Sequence, residues 1–297
     1  MNRFWSTSFF IQVLVLPMWV DFARGETDPL KPIAHYKPAG GWLGDVHPLF
    51  WGGEWHVYYL EVPNEPLRSG TYGIHSAEIV SRDLIRWEKR PVFHEDSNQP
   101  WWLIANIVHE GKFYSFCNGF EGINLSISED GMHWSAYEKN PVIRYSSVPV
   151  AELRDPYIFH NEREEEFWLV FAVKKSRSIH SFYSGAFYYS VSKNLLDWSP
   201  LRVLCDPGGI NVPECPDLFQ LDNRYYLMGS WGTDRVGKGR YRIADSPQGP
   251  WRIARTDSID GTDIPAPNTA TDGERRLFFG WIPTYHANRD YGKSEWG

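Results

Sequence analysis

Cysteine is scarce. Cys117, Cys205 and Cys215 are the only three in 297 residues, too few and odd in number for the disulfide framework of a small secreted module. At least one of them is expected to serve as a buried small hydrophobe. Positive charge is also short, with 30 Lys and Arg against 37 Asp and Glu for a formal net charge of -7. That balance excludes a duplex-binding surface, which displaces phosphate counterions with a cationic excess, so no nucleic-acid partner is expected. Long apolar runs are missing after the first twenty residues, and no later segment can span a bilayer. There is no Gly-rich phosphate loop, no HExxH and no CxxC pair, which removes the commonest nucleotide, zinc-protease and redox chemistries.

The one apolar stretch, Phe9 to Val20, follows Arg3 and precedes Ala23-Arg24-Gly25, which places small residues at the two positions a signal peptidase inspects. Gln12 and Pro17 interrupt a run already too short for a membrane anchor. Residues 1–25 are therefore expected to be a signal peptide and 26–297 the exported domain, secreted or periplasmic, with no membrane partner once the signal is removed.

Aromatic residues are plentiful: 15 Trp, 16 Tyr and 17 Phe make 16% of the chain, punctuated by 25 Gly and 21 Pro. Such a composition predicts many short strands joined by tight turns. An aromatic run after a polar turn recurs five times: Trp55-His56-Val57-Tyr58-Tyr59, Phe113-Tyr114-Ser115-Phe116, Phe167-Trp168-Leu169-Val170-Phe171, Tyr225-Tyr226-Leu227 and Leu277-Phe278-Phe279. Between the runs a Ser is followed five or six residues later by Trp, at Ser81 and Trp87, Ser128 and Trp134, Ser192 and Trp198, and Ser246 and Trp251. A repeat of this length with about four strands is the unit of a propeller blade. The fold predicted is all-β, a five-bladed β-propeller whose fifth blade is incomplete at the C-terminus, as in a truncated chain. A β-sandwich accounts less well for spacing this regular.

With so few routes to chemistry open, paired carboxylates are the natural candidates. Asp45, Asp155 and Glu214 each lie just ahead of an aromatic run, which puts them on the first strands of blades one, three and four. Innermost strands converge on the axis. Acids crowded there repel one another, and the least solvated is expected to hold its proton and act as an acid while another stays ionised. Glycoside hydrolysis uses that division of labour, and the surplus Trp suits sugar stacking.

The segment from His35-Tyr36-Lys37-Pro38 through Gly41-Trp42 to Asp45, the triplet Arg154-Asp155-Pro156, and Glu214-Cys215-Pro216-Asp217 resemble the three signature motifs of glycoside hydrolase family 32, the β-fructosidases. The likeness runs over residues 35 to 297 and takes in Ser81-Arg82-Asp83, Asn140-Pro141 and Gly261-Thr262-Asp263. It implies a five-bladed propeller acting with retention on sucrose or fructans, with Asp45 as nucleophile, Glu214 as general acid/base and Asp155 as transition-state stabiliser. The expected pocket lining adds Trp42, His47, Arg154, Trp101 and Asp263.

Two departures stand out. The family's Asn-Asp-Pro-Asn-Gly is here Gly44-Asp45-Val46-His47-Pro48, and its Ser-rich sugar-contacting stretch is here Trp101 to Val108. Members usually carry a C-terminal β-sandwich, which is expected to be absent from this chain. Two other readings stay open: an inverting propeller glycosidase of the arabinanase and xylosidase type, with acid and base ~6.5–9.5 Å apart instead of ~5–5.5 Å, and a sugar-binding propeller without turnover. No cofactor or metal is expected, because His35, His47, His56 and His75 lack ligand spacing on one strand face.

Overall fold

The computed structural model describes residues 36–38, 41–63, 75–94, 102–175, 184–231, 238–259 and 264–282. The expected signal peptide lies outside these residues, as do Trp101 and Asp263. Apart from one 3₁₀ turn at Tyr145–Ser147, the regular structure described is all strand.

The first sheet runs β1 (Gly41–Trp51), β2 (Glu54–Pro63), β3 (His75–Ser81) and β4 (Glu88–Arg90), each antiparallel to the one before. Gly52 and Gly53 both take positive φ, as a two-residue hairpin between β1 and β2 requires. The second sheet is built around β6 (Trp102–His109), β7 (Lys112–Asn118), β8 (Gly122–Ser128) and β9 (His133–Ala136). Short β5 (Phe93–His94) joins β9 in parallel, and β10 (Ile143–Arg144) pairs with β8. The third sheet is β11 (Glu152–Asn161), β12 (Glu166–Lys174), β13 (Gly185–Ser192) and β14 (Arg202–Cys205). The fourth is β15 (Glu214–Leu221), β16 (Arg224–Trp231), β17 (Lys238–Ala244) and β18 (Arg252–Ser258). A two-stranded ladder follows, β19 (Asn268–Thr271) with β20 (Arg276–Phe279).

The five aromatic runs are the second strands, and the reason is visible in β12. Phe167, Leu169, Phe171 and Val173 pack toward the second sheet with Phe116, Ile123, Leu125 and Leu153. Trp168, Val170 and Ala172 pack toward the fourth with Leu218, Leu227 and Trp231. Both faces of this strand are buried, so its sequence reads as an unbroken apolar run rather than an alternating one. Outermost strands face solvent on most positions, as in β18, and are correspondingly polar.

The Ser-to-Trp elements make the turn from third strand to fourth. Ser128 Oγ accepts the amides of Asp130 and Gly131, and Asp130 Oδ1 accepts those of Met132 and His133. Ser81 with Asp83, and Ser192 with Asn194, repeat the pattern. Side-chain oxygens that satisfy the turn's own amides explain why Ser and Asp or Asn recur there. Trp134 then closes its turn by donating from Nε1 to the Gly131 carbonyl at 3.0 Å.

Inner strands follow one another as β1, β6, β11, β15 and β19, and β19 packs against both β15 and β1. The sequence predicts five blades with the last incomplete; the described residues show four blades of four or more strands plus the two-stranded ladder, not five complete blades. The architecture is an all-β propeller. None of the three cysteines forms a disulfide, and all three are buried.

Candidate active site

Every inner strand but β19 breaks register near its start. The ladder skips between Gly44 and Val46 in β1, Trp102 and Ala105 in β6, Arg154 and Tyr157 in β11, and Glu214 and Asp217 in β15. At three of these breaks a residue other than glycine sits in the left-handed region: Asp45 at φ 39°, Asp155 at 51° and Cys215 at 46°. Ala266, just before β19, does the same at 49°. Bulges of this kind re-aim side chains and recur beside functional sites. Pro156, Pro216 and Pro267 follow the turned residue in three strands, where no ladder partner requires an N–H.

The bulges bring the three predicted acids together. Burial is the largest force on Asp45, and the charges of Asp155 and Glu214 push the same way, raising its pKa to about 7 against the opposing pull of Arg154 and a hydrogen bond with Cys215. Asp155 is 2% exposed; burial, then Glu214 and Glu152 outweigh Arg154 and lift it to about 6. Glu214 keeps 44% of its side chain exposed and receives Arg154 Nη2 at 2.8 Å. The same guanidinium lies 3.2 Å from Glu152 and 3.9 Å from Asp155, so one cation serves a crowd of carboxylates. Burial pushes the Cys215 thiol pKa well up, and its side chain hydrogen-bonds with Asp45. Its backbone N–H donates to Asp155 Oδ2 at 3.2 Å, while Asp155 Oδ1 is buried and has no hydrogen-bond partner among the described residues.

The expectation that burial would single out one proton donor meets a different distribution. Asp45 and Asp155 carry the upward shifts, and the expected acid Glu214 is the exposed member. The reason is the bulge: Asp45 and Asp155 occupy its turned positions, whereas Glu214 stands one residue ahead of its own, at the first position of β15.

Of the expected lining residues, Arg154 is in the cluster. His47 lies in β1, 7% exposed, with Nε2 unpartnered among the described residues. Burial alone lowers its pKa to about 4, so it is a neutral imidazole, and the structure does not join it to the acids. Trp42 contributes its backbone to β1 opposite Val62; its side chain, Trp101 and Asp263 lie outside the described residues. Sequence reasoning missed Cys215 as a partner of both aspartates, and also the mutual contacts of Tyr157, Asp217 and Arg276; the Cys-Pro-Asp run after Glu214 was the available signal.

The raised acids carry a stability consequence. A carboxyl whose folded pKa exceeds its unfolded value, roughly 4, stabilises the fold fully below that value and loses the contribution as pH rises through the folded pKa. For Asp155 and Asp45 that loss sets in above about pH 4 and is complete near pH 6 and 7. Melting temperature should therefore fall from about pH 5 to about pH 8 more steeply in the wild type than in Asp45→Asn, which carries no proton-dependent charge there. Parallel curves for the two proteins would refute the raised Asp45.

A β-propeller with three acids gathered at inner-strand bulges is the class that fold and site define. The chain belongs to the glycosyl hydrolases family 32: the model of that family's N-terminal domain matches residues 35–297. It is 25% identical to a levanase of Bacillus subtilis (strain 168), over 90% of this chain and 43% of that protein. To a sucrose-6-phosphate hydrolase of Escherichia coli it is also 25% identical, over 92% of this chain and 61% of the relative. The solved Bombyx mori GH32 β-fructofuranosidase superposes with a TM-score of 0.70 at 24% identity, over 87% of this chain and 59% of that one. The chain thus spans about half the length of the curated relatives it matches.

Proposed function

We propose that this chain is the catalytic propeller of a retaining β-fructofuranosidase acting on sucrose or fructans. The observation that carries the reading is the mutual electrostatic contact of Asp45, Asp155 and Glu214, delivered from three blades and served by the single guanidinium of Arg154. Family membership and the names of the relatives, a levanase and a sucrose-6-phosphate hydrolase, support the substrate class. In this reading Asp45 attacks the anomeric carbon of the fructosyl unit, Glu214 protonates the departing oxygen and then activates water, and Asp155 accepts hydrogen bonds from sugar hydroxyls. Its buried, unpartnered Oδ1 is available for that. The chemistry asks for an ionised Asp45 and a protonated Glu214. Burial and the neighbouring carboxylates raise Asp45 to about 7, so in this reading the ionised nucleophile gains population as pH rises toward that value.

The same proposal makes β19 and β20 the inner pair of a fifth blade, supported by the position of β19 between β15 and β1. Residues 1–25 act in it as an export signal, with 26–297 as the propeller domain in the periplasm or outside the cell. Trp42, His47, Trp101 and Asp263 complete the sugar pocket.

Incubating the protein with sucrose, inulin and levan, and measuring released fructose beside direct sugar binding, tests the proposal. Fructose release from at least one of them, lost in Asp45→Asn, is the expected outcome. Binding without turnover would replace it with the sugar-binding reading.

A further inference from the structure

One fully buried carboxyl plays no part in that mechanism. Asp217 is completely inaccessible, two residues beyond the turned Cys215 and three beyond Glu214. Through Oδ2 it accepts the backbone N–H of Thr269 in β19 at 2.6 Å. The Tyr157 phenol and the Arg276 guanidinium interact with it from β11 and β20. Arg276 also donates to Thr269 Oγ1 at 2.8 Å and lies 4.5 Å above the Phe219 ring.

Neighbouring inner strands belong to different sheets and share no ladder. What crosses between them here is a carboxylate on one strand accepting an amide of the next: Asp155 takes Cys215 N–H from β11 to β15, and Asp217 takes Thr269 N–H from β15 to β19. A hydroxyl on β16 makes a further bond between sheets, Ser230 Oγ accepting Ala266 N–H just ahead of β19 at 2.7 Å, and Ser230 is the ladder partner of Glu214. The β15 ladder skips Cys215 and Pro216 between Glu214 and Asp217, so these ties brace the bulge that follows Glu214, which itself stays paired with Ser230. Phe187 and the Glu214 carbonyl already crowd Gly229 from the other side, within 3.0 Å of where a Cβ would stand.

We infer that Asp217, with Tyr157, Thr269 and Arg276, is a positioning residue that sets the height of Glu214 against Asp45 and Asp155. The inference rests on the fructosidase reading above and deepens it. A carboxylate tied from strand to strand keeps the acid/base within the small displacement that glycosidic bond cleavage tolerates, since about 1 Å of misplacement can cost on the order of 100-fold in rate.

The test compares wild type, Asp217→Ala, Asp217→Asn and Tyr157→Phe on sucrose, with active sites counted by titration so that unfolded molecules drop out. Asp217→Ala should lose roughly 10- to 100-fold in kcat per active site, with KM changed much less and the pH–rate profile displaced. Asp217→Asn, which keeps an acceptor oxygen for Thr269, should recover part of the loss. Tyr157→Phe should lose kcat in the same direction by a smaller factor, and it carries the test if Asp217→Ala does not fold. Wild-type kcat and pH profile per active site in Asp217→Ala, or in Tyr157→Phe where the alanine variant does not fold, would overturn the inference and leave the fructosidase reading standing. An inactive wild type would instead sink that reading, and this inference with it.

Discussion

Alanine at Asp45 is expected to remove sucrose turnover almost entirely, by on the order of 10⁴-fold or more in kcat, as loss of a covalent nucleophile does elsewhere. The fold should survive it. Asp45 sits at an inner-strand bulge, outside the buried clusters that hold the sheets together, and its removal takes away a carboxylate repelled by Asp155 and Glu214. Alanine at φ 39° costs about 1 kcal/mol in backbone strain, which works against that relief. Unchanged circular dichroism and a melting temperature close to wild type, beside absent fructose release, is the predicted pair of results. Near wild-type hydrolysis by the variant would end the nucleophile assignment.

Glu214→Ala should lose about 10²- to 10⁴-fold on sucrose, whose leaving group needs a proton, and much less on a fructoside with an acidic leaving group. Azide should restore part of the second activity, because an external anion discharges a fructosyl-enzyme without general-base help. The variant's stability should change little: Glu214 is half exposed at the strand's first position, and its direct contact is the 2.8 Å pair with Arg154. Detection of β-fructosyl azide in the variant alone checks the role. Equal losses on both substrates with no azide product would remove Glu214 from proton transfer.

The repeat was legible because a strand buried on both faces is largely apolar, and β12 from Phe167 to Val173 is the clearest case. The Ser that opens each outer turn was legible for a local reason, since its oxygen satisfies amides two and three residues on. Placing Asp45, Asp155 and Glu214 on three first strands followed directly. Their electrostatics did not, because the sequence shows no bulges. A one-residue register skip decides that Asp155 is buried and Glu214 half exposed, and Pro156 and Pro216 mark the skips without revealing a left-handed turn. Asp217 was hidden for a similar reason: its partners Tyr157, Thr269 and Arg276 come from three other strands 52 to 60 residues away, which no local pattern joins.

Retention through a covalent fructosyl-Asp45 is the centre of this account, and its direct measurement is the mass of the protein quenched during turnover. Glu214→Ala supplied with a β-fructofuranoside bearing a good leaving group should accumulate the intermediate, because formation no longer needs the acid and hydrolysis still needs the base. The account predicts one added fructosyl unit, on the peptide that contains Asp45, discharged when azide is added. Turnover with no adduct on that peptide, together with a wild-type product whose anomeric configuration is first inverted, would contradict it.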